Sequence, residues 1–375
     1  MQYRTMPKSP DKLSILGFGC MRFPTSPEGV IDEEQSMAML EHAYANGVNY
    51  YDTAYPYHGG ASESFLKGFL AQHDRKSIYL ATKLPCWLIK EPSDMMRYLD
   101  EQLDKLGTDY IDYYLLHALN RKSWTSLRKM KVMKFMEQAQ AMGKIRHIGF
   151  SFHDDYKTFK KIVDAYDWTF CQIMFNYLDT HYQAGFKGYK LAESRGISVV
   201  AMEPLRGGKL VSPIPPEIEK LWKRAPNKRS MVERALRWVW NWENVSTLLS
   251  GMSTMEQLNE NLRLADICPV GSLDDSEIKL YQKVRRAYIK RVPILCSECR
   301  YCMPCPYGVA IPSNFGVYNE AMMFNDQKRH SREYAMFIPE NARANKCTNC
   351  GACVPKCPQK IAIPDELKKV RDYFA

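Results

Sequence analysis

Val48-Asn49-Tyr50-Tyr51-Asp52-Thr53-Ala54-Tyr55-Pro56-Tyr57 is the stretch whose reading decides the fold. Its first half is β-branched and aromatic, as strands are, and Pro56 and Gly59-Gly60 then break the chain. Asp52 is thereby placed near the carboxyl end of a parallel strand, with Tyr57 five residues on, in the loop beyond. Two later stretches end alike, 78–82 running into Lys83 and 111–116 into His117. Parallel α/β folds put their chemistry at such strand ends.

Working outward, strand-like segments occur at 16–21, 48–52, 78–83, 111–117, 145–152, 170–177, 197–202 and 245–250. Helical spacing of apolar residues follows each one. The helices are expected from Asp32 to Gly47 and over 62–70, 93–106, 127–142, 156–166, 188–195, 230–242 and 254–264. Leu99, Leu103 and Leu106 share one helical side, and Trp238 and Trp242, four apart, share another, which favours core packing. Eight βα units in roughly 250 residues are the arithmetic of a closed (β/α)8 TIM barrel. A doubly wound sheet is the alternative, but no Gly-x-Gly-x-x-Gly turn opens the first helix.

The chain of 375 residues leaves room after that barrel for a smaller appendage. We expect a barrel over 1–270, a linker helix over 271–292 and a separate region over 293–375. A composition of 45% hydrophobic and 25% charged residues is that of a globular protein. No uncharged apolar run approaches the ~18 residues that span a bilayer, and the first eight residues lack a signal peptide's apolar core, so a cytoplasmic protein without a membrane partner is expected. The net charge of +10 is scattered, with small clusters at 223–229 and 285–291, as solvated helix faces are; nucleic acid is not an expected partner.

The strand-end residues fit one chemistry. Reducing a carbonyl takes hydride at carbon and a proton at oxygen, so the protein must supply an acid. A phenol, ordinarily near pKa ~10, serves near neutrality only if a cation favours its ionised form. Lys83 is the available cation, and a carboxylate such as Asp52 would keep it charged. His117 would orient the carbonyl by a hydrogen bond.

Asp52-Thr53-Ala54-x-x-Tyr57, Ala81-Thr82-Lys83 and Leu115-Leu116-His117 resemble the Asp, Tyr, Lys, His tetrad of the aldo-keto reductases. Further matches are Gly149-Phe150-Ser151, Gln172, Glu203-Pro204-Leu205-x-Gly207-Gly208 and Glu260-Asn261. The resemblance implies a barrel that binds an extended nicotinamide dinucleotide, NADP or NAD, and acts on a small carbonyl or alcohol. Tyr57 would be the acid, Lys83 and Asp52 its tuners. Gly19, Cys20, Met21, Asp52, Ser151, Gln172, Met202, Pro204, Leu205, Gly208, Gly251, Ser253, Gln257 and Asn261 would contact the cofactor. Phe152 and Met202 stand where many members have Asn and a stacking Tyr. The segment 250–257, Ser-Gly-Met-Ser-Thr-Met-Glu-Gln, has neither the Lys nor the Arg that the family often places against a 2′-phosphate. Loops at 85–87 and 118–124 would wall the pocket; beside Trp87, Cys86 reads as a small buried side chain rather than a reactive thiol.

Eight of the twelve cysteines crowd into the last 80 residues, a pattern that in a cytosolic chain favours metal over disulfides. Cys296, Cys299, Cys302 and Cys305, followed by Pro306, form one run; Cys347, Cys350, Cys353 and Cys357, followed by Pro358, form the other, with bacterial ferredoxin spacing. Two zinc sites are the alternative, but zinc sites usually pair two Cys-x-x-Cys knuckles across a longer gap. By the rule of two-cluster ferredoxins, Cys357 joins the first three cysteines and Cys305 the second three, giving two [4Fe-4S] clusters. The 41 residues between Cys305 and Cys347 include a helix-like stretch at 314–324, so a mainly helical ferredoxin-like region is expected. The whole chain resembles a ferredoxin-type aldo-keto reductase. A second reading is an electron-transfer module serving a partner redox protein.

Overall fold

The computed structural model describes residues 1–375. It opens with an antiparallel hairpin, β1 (Tyr3–Thr5) and β2 (Lys12–Ser14). Eight parallel strands then close a barrel: β3 (Leu16–Gly19), β4 (Tyr50–Asp52), β5 (Tyr79–Leu84), β6 (Ile111–Leu119), β7 (Ile145–Phe152), β8 (Phe170–Met174), β9 (Ser198–Met202) and β10 (Val245–Ser250). They pair in chain order, and β10 closes on β3 with Ser250 opposite Phe18. The expected (β/α)8 barrel is the fold observed, with every strand where the alternation placed it.

The hairpin has no counterpart in the sequence reading, because strands of three residues carry too few alternations to register. Its Met6 and Leu13 pack with Tyr50, Tyr113, Phe170 and Leu249 in the barrel interior. Asp11 Oδ2 accepts a 2.8 Å hydrogen bond from the Tyr113 hydroxyl, and Ser14 N–H donates to Asn49 Oδ1, just ahead of β4. The hairpin thus seals the amino end of the barrel, leaving the carboxyl ends of the strands for chemistry.

Around this barrel run α1 (Glu33–Ala45), α2 (Ala61–Leu70), α3 (Pro92–Leu106), α4 (Arg121–Lys129), α5 (Val132–Ala141), α6 (Tyr156–Val163) and α7 (Gly185–Ser194). Helix α3 shows how local sequence sets them. Pro92 starts it, Glu91 and Asp94 cap it reciprocally, and Gly107 ends it at φ 63°. Its Leu99 and Leu106 are fully buried, each stabilising the fold by about 1.5–3 kcal/mol. The helix expected over 127–142 is two helices, because Lys131 takes a left-handed φ of 58° between α4 and α5. Trp238 lies in the core, 5.8 Å from Trp242.

The chain divides into two compact units, Met1–Gly207 with Arg229–Asp274, and Gly208–Lys228 with Asp275–Ala375. The first also holds α9 (Met231–Trp240) and α10 (Met255–Ile267), the second α8 (Pro216–Trp222), α11 (Asp275–Lys290), α12 (Ile311–Phe324), α13 (Gln327–Phe337) and α14 (Ile363–Tyr373). Within the second unit, Trp222 of α8 packs edge-on against Tyr281 of α11. Lys209 pairs with Glu320 and Glu333 there. Its core joins Ile294, Val309, Phe315, Tyr334, Leu367 and Val370, and six of the eight clustered cysteines pack on it. Buried Asn314 accepts from the Tyr334 hydroxyl at 2.6 Å and donates to the Ala310 and Ala342 carbonyls, tying the two cysteine runs together. No helix is long and apolar enough to cross a membrane.

Candidate active site and cysteine cavities

Asp52 ends β4, and Lys83 is the fifth residue of neighbouring β5, so both side chains meet above the barrel interior. Lys83 Nζ donates to Asp52 Oδ1 and to the Thr53 carbonyl, each at 2.7 Å, and reaches the Tyr57 hydroxyl at 3.4 Å. Tyr57 is delivered by the turn that its N–H closes on the Ala54 carbonyl. His117, on β6, stands edge-on to Tyr57 with 6.3 Å between ring centres, and Trp87 packs against His117 with ring centres 5.1 Å apart. The four residues expected to work together do converge.

Burial sets their electrostatics. It pushes the Lys83 ammonium down, but Asp52 and then Tyr57 push harder the other way, so Lys83 stays charged. Burial lifts the Asp52 carboxyl above its usual range against the pull of Lys83. Burial also lifts the Tyr57 phenol, and Lys83 only offsets part of the rise. Lys83 does pull the phenol down, as expected, but desolvation outweighs the cation, so the net shift is upward and Tyr57 is held protonated. Burial, followed by Lys83 and His153, drives His117 well below the ordinary imidazole value, so it is neutral. Cys86 is buried and its thiol pushed up to about 12 by burial, the unreactive reading.

Behind Lys83 lies a polar network that sequence reasoning missed. Thr82 Oγ1 and Gln102 Nε2 both donate to Glu63 Oε1 at 2.6 Å, Gln102 also donates to the Lys83 carbonyl, and the Tyr114 hydroxyl donates to Gln102 Oε1. All four side chains are buried. Only the spatial adjacency of α2, α3, β5 and β6 assembles it.

The remaining strand ends offer a set of polar groups that fits a nicotinamide dinucleotide. Ser151 and Gln172 face each other in register on β7 and β8. Ser151 Oγ accepts from the Ala118 N–H, leaving its hydroxyl proton to give. Gln172 Nε2 touches Met202 Sδ, while its buried Oε1 has no partner. A carboxamide supplies one acceptor and two donors, matching that pair. Asp52 Oδ2 is likewise buried and unpartnered, suited to a ribose hydroxyl. Cys20 is buried within electrostatic reach of Asp52 and Lys83, and Met21 is exposed. After β9, Pro204 is buried and Leu205 half-buried. That loop is bent by positive φ at Glu203, Arg206 and Gly207, and Asn176 Nδ2 donates to the Glu203 carbonyl. Gly208 begins the second unit. Asn261 braces Ser250, and Gln257 accepts from the Ser253 N–H, so these two shape the loop after β10. Gly19 lies against that loop, a Cβ there coming within 3.2 Å of the Ser250 carbonyl, and Gly251 follows in it.

In the second unit the eight cysteines line two cavities. Cys296, Cys299, Cys302 and Cys357 line one; Cys305, Cys347, Cys350 and Cys353 line the other. The last cysteine of each run thus belongs to the other run's cavity. No His, Asp or Glu lines either, Ile311 walls both, and the linings are otherwise largely apolar. Four thiolates in an apolar shell fit an iron–sulfur cluster.

Comparison with known proteins agrees with both halves. Residues 15–286 match the aldo/keto reductase family, and residues 295–362 match a 4Fe-4S dicluster domain. L-galactose dehydrogenase of Arabidopsis thaliana is 27% identical over 67% of this chain and 84% of its own. The uncharacterized oxidoreductase YqkF of Bacillus subtilis is 27% identical over 75% and 96%. Among solved structures, the holo form of aldo-keto reductase AKR11C1 from Bacillus halodurans superposes with a TM-score of 0.65, at 26% identity, over 76% of this chain and 96% of that one.

Proposed function

Because the chain belongs to the aldo/keto reductase family of oxidoreductases and carries a 4Fe-4S dicluster domain at its carboxyl terminus, we propose that it reversibly reduces an aldehyde or ketone with NAD(P)H at Tyr57. The observation that carries this reading is Lys83 Nζ held between Asp52 Oδ1 and the Tyr57 hydroxyl. When bound, the reduced nicotinamide supplies the hydride. Neutral His117 donates one N–H to the substrate carbonyl oxygen and fixes its direction. Tyr57, held protonated by burial, gives its proton to that oxygen as negative charge develops there. Lys83 stabilises the phenolate left behind, and Asp52 keeps Lys83 charged throughout. Ser151 and Gln172 hold the carboxamide. Trp87, beside His117, narrows the space left for the carbonyl's substituents.

Each set of four cysteines in our reading ligates one [4Fe-4S] cluster, and the thiolate bonds hold together a unit with a small core. The presence of a second cavity favours a further reading, electron exchange with a partner redox protein, since one cluster suffices as a staple. Clustered, unpaired thiols also fit a reducing, cytoplasmic setting.

The test is a carbonyl panel with NADPH and NADH, comparing Tyr57→Phe. Loss of carbonyl-dependent nucleotide oxidation supports the reading; full turnover without the phenol would refute it.

A further inference from the structure

The segment 250–257 carries no cation and one acid, Glu256. Taken alone it discourages a phosphomonoester. The fold brings a cation to it from elsewhere. Strands β3 and β10 are neighbours, so the turn Cys20–Arg22 that follows β3 lies beside the loop that follows β10. A Cβ placed on Gly251 would come within 2.9–3.1 Å of Cδ, Cβ and Cγ of Arg22. The Arg22 stem therefore fills the space that a side chain from position 251 would occupy. Gly251 is not in the left-handed region. What demands glycine there is Arg22, not the backbone. The turn is pinned as well: Ser253 Oγ donates to the Arg22 carbonyl at 2.9 Å, across 231 residues of sequence. Arg22 is exposed, and its guanidinium has neither an ion pair nor a hydrogen bond within the chain.

We infer that Arg22 holds the 2′-phosphate of NADPH and makes the chain prefer NADPH to NADH; this rests on the reading of the barrel as a nicotinamide dinucleotide site. A 2′-phosphomonoester carries up to two charges and three acceptor oxygens, which the planar guanidinium can grip through two parallel N–H donors. NADH has a hydroxyl there and gains little from the same group. The cation arrives from the loop after β3 rather than from the segment after β10, so the nucleotide preference is invisible in 250–257.

The experiment is equilibrium binding to the iron-replete, full-length protein under anaerobic conditions, read by quenching of tryptophan emission. The probes are NADPH, NADH, 2′,5′-ADP and 5′-ADP. The unchanged protein should bind NADPH more tightly than NADH, and 2′,5′-ADP more tightly than 5′-ADP. Arg22→Gln should weaken NADPH and 2′,5′-ADP by about 10- to 100-fold while NADH and 5′-ADP change by less than about 3-fold. The double variant Arg22→Ala with Gly251→Lys, which removes the Arg22 Cγ and Cδ that a side chain at 251 would meet and puts a cation into the vacated space, should recover most of the NADPH affinity. Equal losses for the phosphorylated and unphosphorylated probes, or no loss for either, would overturn the role of Arg22 while leaving the dinucleotide site intact. Binding of none of the four by the unchanged protein would overturn that site and the inference together.

Discussion

Lys83 Nζ lies 2.7 Å from Asp52 Oδ1, with the two side chains 0% and 3% exposed. An ion pair this dry is maintained by its partners, because either charge alone would be stranded. Lys83→Met should therefore destabilise the barrel by about 3–5 kcal/mol and cut carbonyl reduction by about 10²- to 10⁴-fold. Adding Asp52→Asn should restore much of the stability and none of the turnover. Urea midpoints by tryptophan emission, beside steady-state rates, separate the two effects.

His117 gives the fold a pH dependence. Its imidazole titrates far below the ordinary value of 6.5 when folded and near 6.5 when unfolded. Below pH 6.5 the unfolded chain binds a proton that the folded chain refuses, so stability is lost as pH falls. His153, also depressed by burial, acts in the same direction. His117→Gln should flatten the decline in unfolding free energy between pH 7 and pH 5, with His153 accounting for part of what remains. Carbonyl reduction, by contrast, should stay level through neutrality and fall only above the ordinary phenol pKa of 10, since burial raises Tyr57.

The cysteine cavities predict which ligand losses group together. Cys357→Ala should remove the same EPR signal as Cys299→Ala, and Cys305→Ala the same signal as Cys350→Ala. Cys357→Ala and Cys353→Ala losing one and the same cluster would contradict this pairing.

Gln102 joins Glu63, Thr82, Tyr114 and the Lys83 carbonyl in one buried network. Gln102→Leu should leave the Tyr114 hydroxyl and the Lys83 carbonyl short of partners, at a cost of about 1–3 kcal/mol for each. The loss should appear in the urea midpoint, and kcat should drop by more than KM rises, because the displaced backbone carries the Lys83 side chain.

Much of this site is legible along the chain because each element announces itself locally. Asp52, Lys83 and His117 end strands whose neighbours in sequence are also neighbours in space, so a one-dimensional count of βα units already ranks them side by side. The cysteine runs are legible for a related reason, since their spacing already sorts the eight residues into the two sets that line the two cavities. Where the reading fails, the information is not local. Lys131 looks like the middle of an amphipathic helix, and only its left-handed backbone divides α4 from α5. The hairpin strands are too short to show a period. Arg22 reaches the loop after β10 through barrel closure, which pairs the first barrel strand with the last and leaves no trace in the composition of either segment. Burial, likewise, outweighs the expected tuning of Tyr57 by Lys83, because a desolvation penalty depends on everything packed around the group.

The most direct test of the account follows the hydride. Nicotinamide-4-deuterated NADPH would be mixed anaerobically with the iron-replete protein and an accepted carbonyl for a single turnover, the product read by mass spectrometry and the clusters by EPR. The account predicts deuterium on the former carbonyl carbon, clusters whose oxidation state does not change, and loss of the labelled product in Tyr57→Phe. Oxidation of NADPH that reduces the clusters while no label reaches any product would contradict it, and would make the barrel an entry point for electrons bound for another protein.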